Sequence, residues 1–347
     1  MNAISLFSGM GGDTLGIEQA GVNVIAYSEI NKTFRESHEL NFPDSKLIGN
    51  GNILETTDEE FAEYQNSVNL IFAGFPCQSY STAGKRLVDD PRNTLFLEFL
   101  RATKIIKPKY IIGENVKGLL SKKAENGEKY IDIIVKEFED LGYNIVYKIC
   151  KVDKYGVPQK RERLIIVGIL NSDVKYEFPE ENNQNLNLKN IIKFNMKGSI
   201  KIEPEDFDMT TIPTECILKN MRNKEDENNP HPYLKLKAKT RGSIWKDKSY
   251  DSLLSFGKRD SPIHCEIIDI RKPTKTIICT YNHQPRLYVP LKNKNGYFIR
   301  CILPDELKQI QGFPIDYKLS GNDSKKIIQI GNAVPPPLIK QIVENLF

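Results

Sequence analysis

A cysteine at the end of a short strand is the residue in this chain best placed to do chemistry. Asn69 to Ala73 forms an apolar run without helical period, which predicts a buried strand. Gly74 and Pro76 end it, so Cys77 lies at the strand's carboxyl end, where open α/β sheets bind ligands. The polar stretch Gln78 to Asn93 then predicts a mobile loop carrying a nucleophilic thiol. Taken alone, a free cysteine is more often a small, buried, hydrophobic core residue. Whether Cys77 is instead a nucleophile therefore depends on the residues predicted to lie near it.

Further charged residues flank other predicted strands. The strand Tyr110 to Gly113 delivers Glu114 and Asn115 to the same edge of the sheet as Cys77. The run Gln159 to Arg163 immediately precedes another apolar strand. An arginine is commonly a surface ion-pair partner, but two arginines around one glutamate before a buried strand favour a role in a site.

A glycine-rich turn follows the first predicted strand. Ala3 to Phe7 is apolar, Ser8 to Gly12 forms the turn, and the second strand, Asn23 to Tyr27, leads to Glu29. A carboxylate in that position can accept hydrogen bonds from ribose hydroxyls. The dinucleotide fingerprint is incomplete, because Thr14 stands where its third glycine would be. The pattern indicates either a plain strand-to-helix turn or a site for an adenosine-containing cofactor without a pyrophosphate.

Strands and helices alternate through the first half of the chain. This alternation predicts an α/β fold with a doubly wound, mostly parallel, Rossmann-like sheet. We expect three parts: residues 1–170 as the first part of a catalytic domain, 171–270 as a smaller irregular domain, and 271–347 as a return segment whose C-terminal helix packs back on the catalytic domain. The predicted helices are Asp13 to Gln19, one capped by Asn31 through Leu40, one capped by Asp58 through Tyr64, Asn93 to Ile106, and Tyr130 to Leu141.

The overall composition is that of an ordinary globular protein. The 347 residues are 39% hydrophobic and 27% charged, and no apolar run approaches membrane-spanning length. The amino terminus lacks the pattern of a signal peptide, which favours a cytoplasmic location. The six cysteines are far apart in sequence and include no C-x-x-C pair, so neither a metal site nor a disulfide framework is expected.

A basic stretch lies within the irregular region. Residues Lys235 to Lys248 carry six cations and one acid, together with Trp245. Such a run is usually a solvated surface, but cations interleaved with aromatic residues also fit a nucleic-acid interface.

Six short motifs follow one another along the chain: F-S-G-M-G-G (Phe7 to Gly12), G-F-P-C-Q-S (Gly74 to Ser79), E-N-V-K-G (Glu114 to Gly118), Q-K-R-E-R (Gln159 to Arg163), R-K-P-T-K-T-I (Arg271 to Ile277) and I-G-N-A-V-P (Ile330 to Pro335). In these motifs and their order, the chain resembles the cytosine-C5 DNA methyltransferases of the bacterial modification type. Residues 171–270 contain none of these motifs and lie where that family has its variable target-recognition region.

The resemblance implies a mechanism and four catalytic residues. Cys77 would add to C6 of cytosine and so make C5 nucleophilic toward the methyl group of S-adenosyl-L-methionine. Glu114 would contact N3 and the exocyclic amine of the base, and Arg163 would hold its O2. Arg161 would steady the active-site loop and a phosphate.

The resemblance also implies a cofactor pocket. The family usually has Asp where this chain has Asn52, so we expect weaker cofactor binding rather than none. The implied cofactor residues are Phe7, Ser8, Gly9, Met10, Gly11, Gly12, Glu29, Ile30, Asn52, Ile53, Gly74, Pro76, Leu95, Asn332 and Ala333.

The implied partner is double-stranded DNA with its target cytosine flipped out of the helix. The protein is expected to be a monomer without a metal, with a possible separate restriction endonuclease. Three alternatives stay open: a tRNA cytosine-C5 methyltransferase, a catalytically inactive DNA-binding regulator, and a nicotinamide dehydrogenase. The expected DNA contacts are Gln78, Ser81, Lys85, Arg86, Lys237, Lys239 and Arg241.

Overall fold

The computed structural model describes residues 1–76, 95–124, 126–202, 218–219, 234–236, 254–256, 266–282 and 287–347. A seven-stranded sheet forms its centre, with strand order β3-β2-β1-β4-β5-β8-β6. The strands in chain order are β1 (Asn2–Leu6), β2 (Asn23–Ser28), β3 (Lys46–Leu47), β4 (Leu70–Ala73), β5 (Tyr110–Asn115), β6 (Tyr143–Lys151), the short β7 (Gln159–Lys160) outside this sheet, and β8 (Glu162–Leu170).

The sheet is mostly parallel, as predicted. Strands β3, β2, β1, β4 and β5 run parallel to one another, and β8 lies antiparallel between β5 and β6. Every residue of β4 and β5 is buried, because helices and loops cover both faces of the sheet. Neighbouring residues of β4 pack on opposite faces: Ile71 and Ala73 in one core cluster, Leu70 and Phe72 in another.

The register of the strands aligns three chain segments at one edge. Leu6 pairs with Ala73, and Ala73 pairs with Gly113. The residues that follow these strands therefore lie side by side. Asn115 pairs with Leu164 of antiparallel β8, which brings the start of β8 to the same edge.

Eight α-helices fall within the described residues. They are α1 (Gly12–Gln19), α2 (Lys32–Asn41), α3 (Asp58–Ala62), α4 (Leu95–Ile106), α5 (Tyr130–Glu139), α6 (Pro304–Ile310), α7 (Asp323–Asn332) and α8 (Pro336–Glu344).

Two predicted helix caps have different outcomes. Asn31 caps α2 as expected, because its side chain accepts the amides of Thr33 and Phe34. The prediction that Asp58 caps α3 is wrong. Thr57 is the cap, in a reciprocal capping box with Glu60, so Asp58 is the first helical residue. The ends also shift, since α3 stops at Ala62 and α5 at Glu139, two residues short of each predicted end.

The carboxyl-terminal helix packs on the first helix. A side chain at Gly16 of α1 would meet the Pro336 carbonyl and Ile339 of α8 at under 3 Å, so only glycine permits this approach. Ile17, Leu338 and Ile342 share one buried cluster there. The end of the chain thereby completes the layer that covers β1 and β4.

A second sheet has strand order β10-β15-β16-β9, with β13 paired to β15. Its central strands, β15 and β16, pack with α6 and α7 through residues such as Leu291, Phe298 and Leu307. The sheet combines strands from before and after residue 270, and the domain boundaries stay a prediction. The remaining strands are β9 (Ile200–Ile202), β10 (Leu218–Lys219), β11 (Leu234–Leu236), β12 (Leu254–Phe256), β13 (Glu266–Ile267), β14 (Thr274–Lys275), β15 (Leu287–Asn293) and β16 (Gly296–Cys301).

Candidate active site

A buried ion pair lies at the carboxyl edge of the central sheet. Arg163 Nε is 2.7 Å from Glu114 Oε1, and the two side chains are 14% and 12% exposed. The pair forms because Glu114 is near the end of β5 and Arg163 is near the start of the adjacent β8. Burial lowers the pKa of Arg163, and the Glu114 carboxylate opposes that change. The structure thus brings together two of the predicted catalytic residues.

The predicted nucleophile, Cys77, lies just outside the described residues, which in this segment end at Pro76. The residues that lead to it are held in place by hydrogen bonding and close packing. Asn115 Nδ2 donates to the Phe75 carbonyl at 3.2 Å, and Asn115 is buried. A side chain at Gly74 would lie 3.8 Å from both Glu114 Oε2 and the Phe7 carbonyl. Gly74 therefore stands between the carboxylate and the glycine-rich turn.

Arg161 lies in a buried environment beside the Glu114–Arg163 pair. Its guanidinium donates to the carbonyls of Ile277, Gly331 and Ala333, and the residue is 3% exposed. Among the described residues, its Nε finds no partner. Burial lowers the pKa of Arg161, and the nearby charge of Arg163 lowers it further. The guanidinium thus binds backbone carbonyls that would otherwise be buried without donors, and its role toward the active-site loop and a phosphate stays a prediction.

The glycine-rich turn has a strained and tightly bonded backbone. Phe7 has a φ of 58°, a left-handed conformation that is rare for a bulky residue and clusters at functional sites. Glu29 accepts the amides of Gly9 at 2.9 Å and Asn31 at 2.7 Å. Burial raises the pKa of Glu29, and these amides oppose the rise. A carboxylate has about four acceptor positions, so Glu29 retains capacity for ligand hydroxyls.

Asn52 is held by its neighbours. Its Nδ2 donates to Glu55 Oε1 at 2.6 Å, and its Oδ1 accepts the Leu54 amide at 3.3 Å. Asn50 also donates to Glu55, at 2.5 Å. Arg35 bonds the carbonyls of Glu29 and Asn50, which joins this loop to the end of β2. The contacts leave the second lone pair of Asn52 Oδ1 available to a ligand.

The remaining predicted cofactor residues occupy mixed positions around this edge. Met10 is 1% exposed and packs in the core, so only its backbone can reach a ligand. Ser8 faces inward as well. The 332–334 segment packs against the glycine-rich turn. This packing is close enough that a side chain at Gly12 would collide with the Val334 carbonyl. Among the others, Ile30 and Asn332 are exposed, Pro76 and Leu95 are half-buried, and Gly11, Ile53 and Ala333 are buried.

Sequence reasoning missed a buried polar network beneath the turn. Asp13 accepts from Ser5 and, at 3.3 Å, from Ser8, while Thr14 joins Ser8 to His38. Burial raises the pKa of Asp13 to about 7 and lowers that of His38 to about 3. The polar residue types at positions 13 and 14 of an otherwise buried helix were the available signal.

None of the predicted DNA contacts falls within the described residues. Within the described part, no group of His, Cys, Asp and Glu could hold a metal, and no described helix is long and apolar enough to cross a membrane. The residues in question are Gln78, Ser81, Lys85, Arg86, Lys237, Lys239 and Arg241.

Comparison with known proteins identifies the family. The family model "C-5 cytosine-specific DNA methylase" matches residues 1–347. A Type II methyltransferase of Fusobacterium nucleatum, M.FnuDI, is 34% identical over 100% of this chain and 94% of its own. M.Eco47II of Escherichia coli is 32% identical over 96% of this chain and 75% of its own.

Solved structures share the same fold. A Spodoptera frugiperda DNMT2 mutant superposes with a TM-score of 0.67 at 17% identity, covering 100% of this chain and 99% of that one. A putative DNA modification methyltransferase from an E. coli prophage gives 0.63 at 20% identity, covering 100% and 98%. The family match over residues 1–347 and the 34% identity to M.FnuDI show that the chain belongs to the C-5 cytosine-specific DNA methylase family and is a DNA cytosine methyltransferase.

Proposed function

We propose that this enzyme transfers the methyl group of S-adenosyl-L-methionine to C5 of a flipped-out cytosine in a specific duplex sequence. The observation that carries the proposal is the Glu114–Arg163 pair, which lies beside the segment leading to Cys77 and next to the glycine-rich turn. Among the described residues, a carboxylate, a fixed guanidinium and a predicted cofactor turn meet at this edge, where the parallel strands end.

Cys77 acts as the nucleophile in this proposal. Its thiolate adds to C6 of cytosine, which moves electron density to C5, the atom that receives the methyl group. Loss of the C5 proton to a base then restores the ring and expels the thiolate. A free thiol has a pKa of about 8.5, so a neighbouring group must favour the thiolate or take its proton.

Glu114 and Arg163 recognise the base, and Arg163 offsets the negative charge that develops on it. Arg163 Nε is already bonded to the carboxylate, which fixes both side chains before substrate enters. A guanidinium has five N–H donors, so other donors remain for the cytosine O2. A fixed donor near a developing negative charge stabilises it without reorganisation during the reaction.

The described residues fit the cofactor. Glu29 has free acceptor capacity for ribose hydroxyls, and Asn52 Oδ1 has a lone pair for the adenine amine. When bound, the cofactor supplies an electrophilic methyl group on a sulfonium. The backbone of the Ser8 to Gly11 turn permits close approach, and the exposed Asn332 closes the pocket from the other end of the chain.

Double-stranded DNA is the proposed substrate, with residues 171–270 setting the sequence that is read. The loop Gln78 to Asn93 would close over the flipped base, and Lys237, Lys239 and Arg241 would contact phosphates. The relatives are named Type II methyltransferases, which supports a role in restriction-modification. We further propose a cytoplasmic, monomeric enzyme that acts separately from a cognate endonuclease. The family match to a DNA methylase does not favour the tRNA alternative.

One experiment separates the main readings. The purified protein is incubated with methyl-labelled S-adenosylmethionine and either duplex DNA or tRNA. We expect label in DNA alone, and bisulfite sequencing of DNA from expressing cells then maps the methylated cytosine. Label in tRNA alone would show that the substrate is RNA rather than DNA. Label in neither nucleic acid would favour a catalytically inactive, DNA-binding regulator.

A further inference from the structure

Two buried glutamines form a hydrogen-bonded chain between distant segments. The Ile277 amide donates to Gln159 Oε1 at 3.0 Å, and Gln159 Nε2 donates to Gln311 Oε1. Gln311 Nε2 then donates to the Ala333 carbonyl at 2.6 Å. Both glutamines are 0% exposed. We call these two residues the glutamine relay.

The direction of the relay is determined by its ends. A backbone amide can only donate and a backbone carbonyl can only accept, so each glutamine has one permitted amide orientation. Both side-chain groups of Gln311 are used, one toward Gln159 and one toward Ala333. Loss of this side chain would leave Gln159 Nε2 without its acceptor and the Ala333 carbonyl with only the longer bond from Arg161, at 3.4 Å. Unpaired buried polar groups are costly.

Arg161 bonds the same two segments beside the relay. Its guanidinium reaches the carbonyls of Ile277 and Ala333, and Arg161 is two residues from Arg163. The 331–333 segment therefore has two connections to residues 159–161, which immediately precede β8, the strand that carries Arg163. Gly331 is packed against the backbone of Cys279, where no side chain would fit, so the segment has little freedom to adjust.

We propose that Gln311 is a positioning residue, which sets the 331–333 segment relative to the Glu114–Arg163 pair and thereby the closure of the cofactor pocket. The inference rests on the proposed function, because it takes Asn332 as part of that pocket. Since Gln311 touches neither substrate nor cofactor in this account, it acts through Ala333.

The test is a comparison of two buried glutamines changed in the same way. Gln311→Met removes both relay bonds while keeping the size of the side chain. Gln329→Met is the matched control, because Gln329 is also buried and donates only to the nearby carbonyls of Ser320 and Lys325. Gln311→Glu is a second variant, compared at pH values below and above the titration of the buried carboxyl. When protonated, the carboxyl can still donate to Ala333; when ionised, it keeps only the acceptor for Gln159.

The readout is the dissociation constant for S-adenosylhomocysteine, measured by calorimetry without turnover, with the melting temperature recorded beside it. We expect Gln311→Met, and Gln311→Glu with its carboxyl ionised, to weaken binding about fivefold to tenfold, the loss expected for one or two buried hydrogen bonds. Gln329→Met should lower the melting temperature and leave the dissociation constant within about twofold. The KM for DNA should change less than cofactor affinity in every variant.

Two outcomes separate the possible failures. If the unmodified protein does not bind S-adenosylhomocysteine, the proposed function is wrong, and the positioning role of Gln311 falls with it. If it binds and the Gln311 variants match Gln329→Met in affinity, Gln311 has only a structural role and the inference is overturned. If Gln311→Met does not fold, Gln311→Glu decides alone.

Discussion

Arg163 Nε and Glu114 Oε1 lie 2.7 Å apart in a pair that is almost closed to solvent. Antiparallel pairing of β5 with β8 creates this contact between residues that are 49 positions apart in sequence. A buried pair of this kind is poor evidence for stability, because desolvation offsets much of the attraction. Its value is that both side chains are oriented before a base arrives.

Glu114→Gln should lower turnover by about 100-fold or more, while cofactor affinity changes little. The substitution keeps the shape of the side chain and removes the charge that pairs with Arg163. Single-turnover rates and cofactor dissociation constants measure the two effects separately. Glu162→Gln is the control, since Glu162 pairs only with Lys117 at the surface, where an ion pair contributes about 0–1 kcal/mol. A variant that loses cofactor binding but keeps its rate at saturation would refute the assignment.

Cys77→Ser should abolish methyl transfer and leave DNA binding largely intact. The unmodified protein should form an SDS-stable complex with 5-fluorocytosine DNA and cofactor, because fluorine cannot leave as the C5 proton does. Cys150→Ala is the control and should still be trapped, since burial raises the pKa of Cys150 to about 11 and makes it a poor nucleophile. Absence of a complex with the unmodified protein would remove covalent catalysis from the mechanism.

Asn52→Asp should not restore tight cofactor binding by itself. The amide of Asn52 donates to Glu55 at 2.6 Å, so a carboxylate there would face a like charge. We expect the single variant to bind S-adenosylhomocysteine a few-fold more weakly and the double variant Asn52→Asp, Glu55→Gln to bind more tightly than the single one. Calorimetry measures all three proteins. Tighter binding by the single variant than by the unmodified protein would show that Glu55 does not orient Asn52.

Asp13→Asn should flatten the dependence of stability on pH. Burial raises the folded-state pKa of Asp13 from 3.8 to about 7, so between these values the folded state binds a proton that the unfolded state does not. Stability from this group is full below about pH 4, falls as pH rises to about 7, and then stays level. The total loss is on the order of 4 kcal/mol.

Urea unfolding of both proteins between pH 5 and pH 8 tests this expectation. The asparagine variant should gain on the unmodified protein as pH rises, because an amide stays neutral in the same buried position. Parallel pH profiles for the two proteins would mean that Asp13 is not the group that titrates.

Neutralising Lys237, Lys239 and Arg241 together should weaken binding to every duplex and reduce the salt dependence by about one unit of slope per lost phosphate contact. The matched control changes Lys104, Lys107 and Lys109 to glutamine. These three exposed lysines lie at the amino end of β5, at the edge of the sheet opposite the candidate site. Equal losses in the two triple variants would point to net charge rather than to contacts.

The target-recognition prediction has its own test. Replacing residues 171–270 with the region of a relative of different specificity should move the methylated site and leave the chemistry of Cys77 unchanged. Bisulfite sequencing reads the outcome. An active graft that still methylates the original sequence would place recognition elsewhere in the chain.

Local patterns in the sequence determined much of this protein. The apolar run Leu70–Ala73, the glycine-rich turn and the cap Asn31 each depend on residues that are neighbours along the chain. Backbone conformation and burial follow from such patterns because side-chain period and turn geometry are local properties. The order of six motifs along the chain is enough to indicate the family that the match over residues 1–347 shows.

Only the tertiary structure decided which distant groups satisfy one another. Arg161 binds carbonyls 116 to 172 positions away, and Gln159 meets Gln311 across 152 positions. No spacing rule predicts such partners, because they depend on which backbone groups lack donors or acceptors after the segments pack. The burial of Asp13 was decided in the same way, by Ser5 and Ser8 closing over a carboxylate that the sequence alone would place on an ordinary helix.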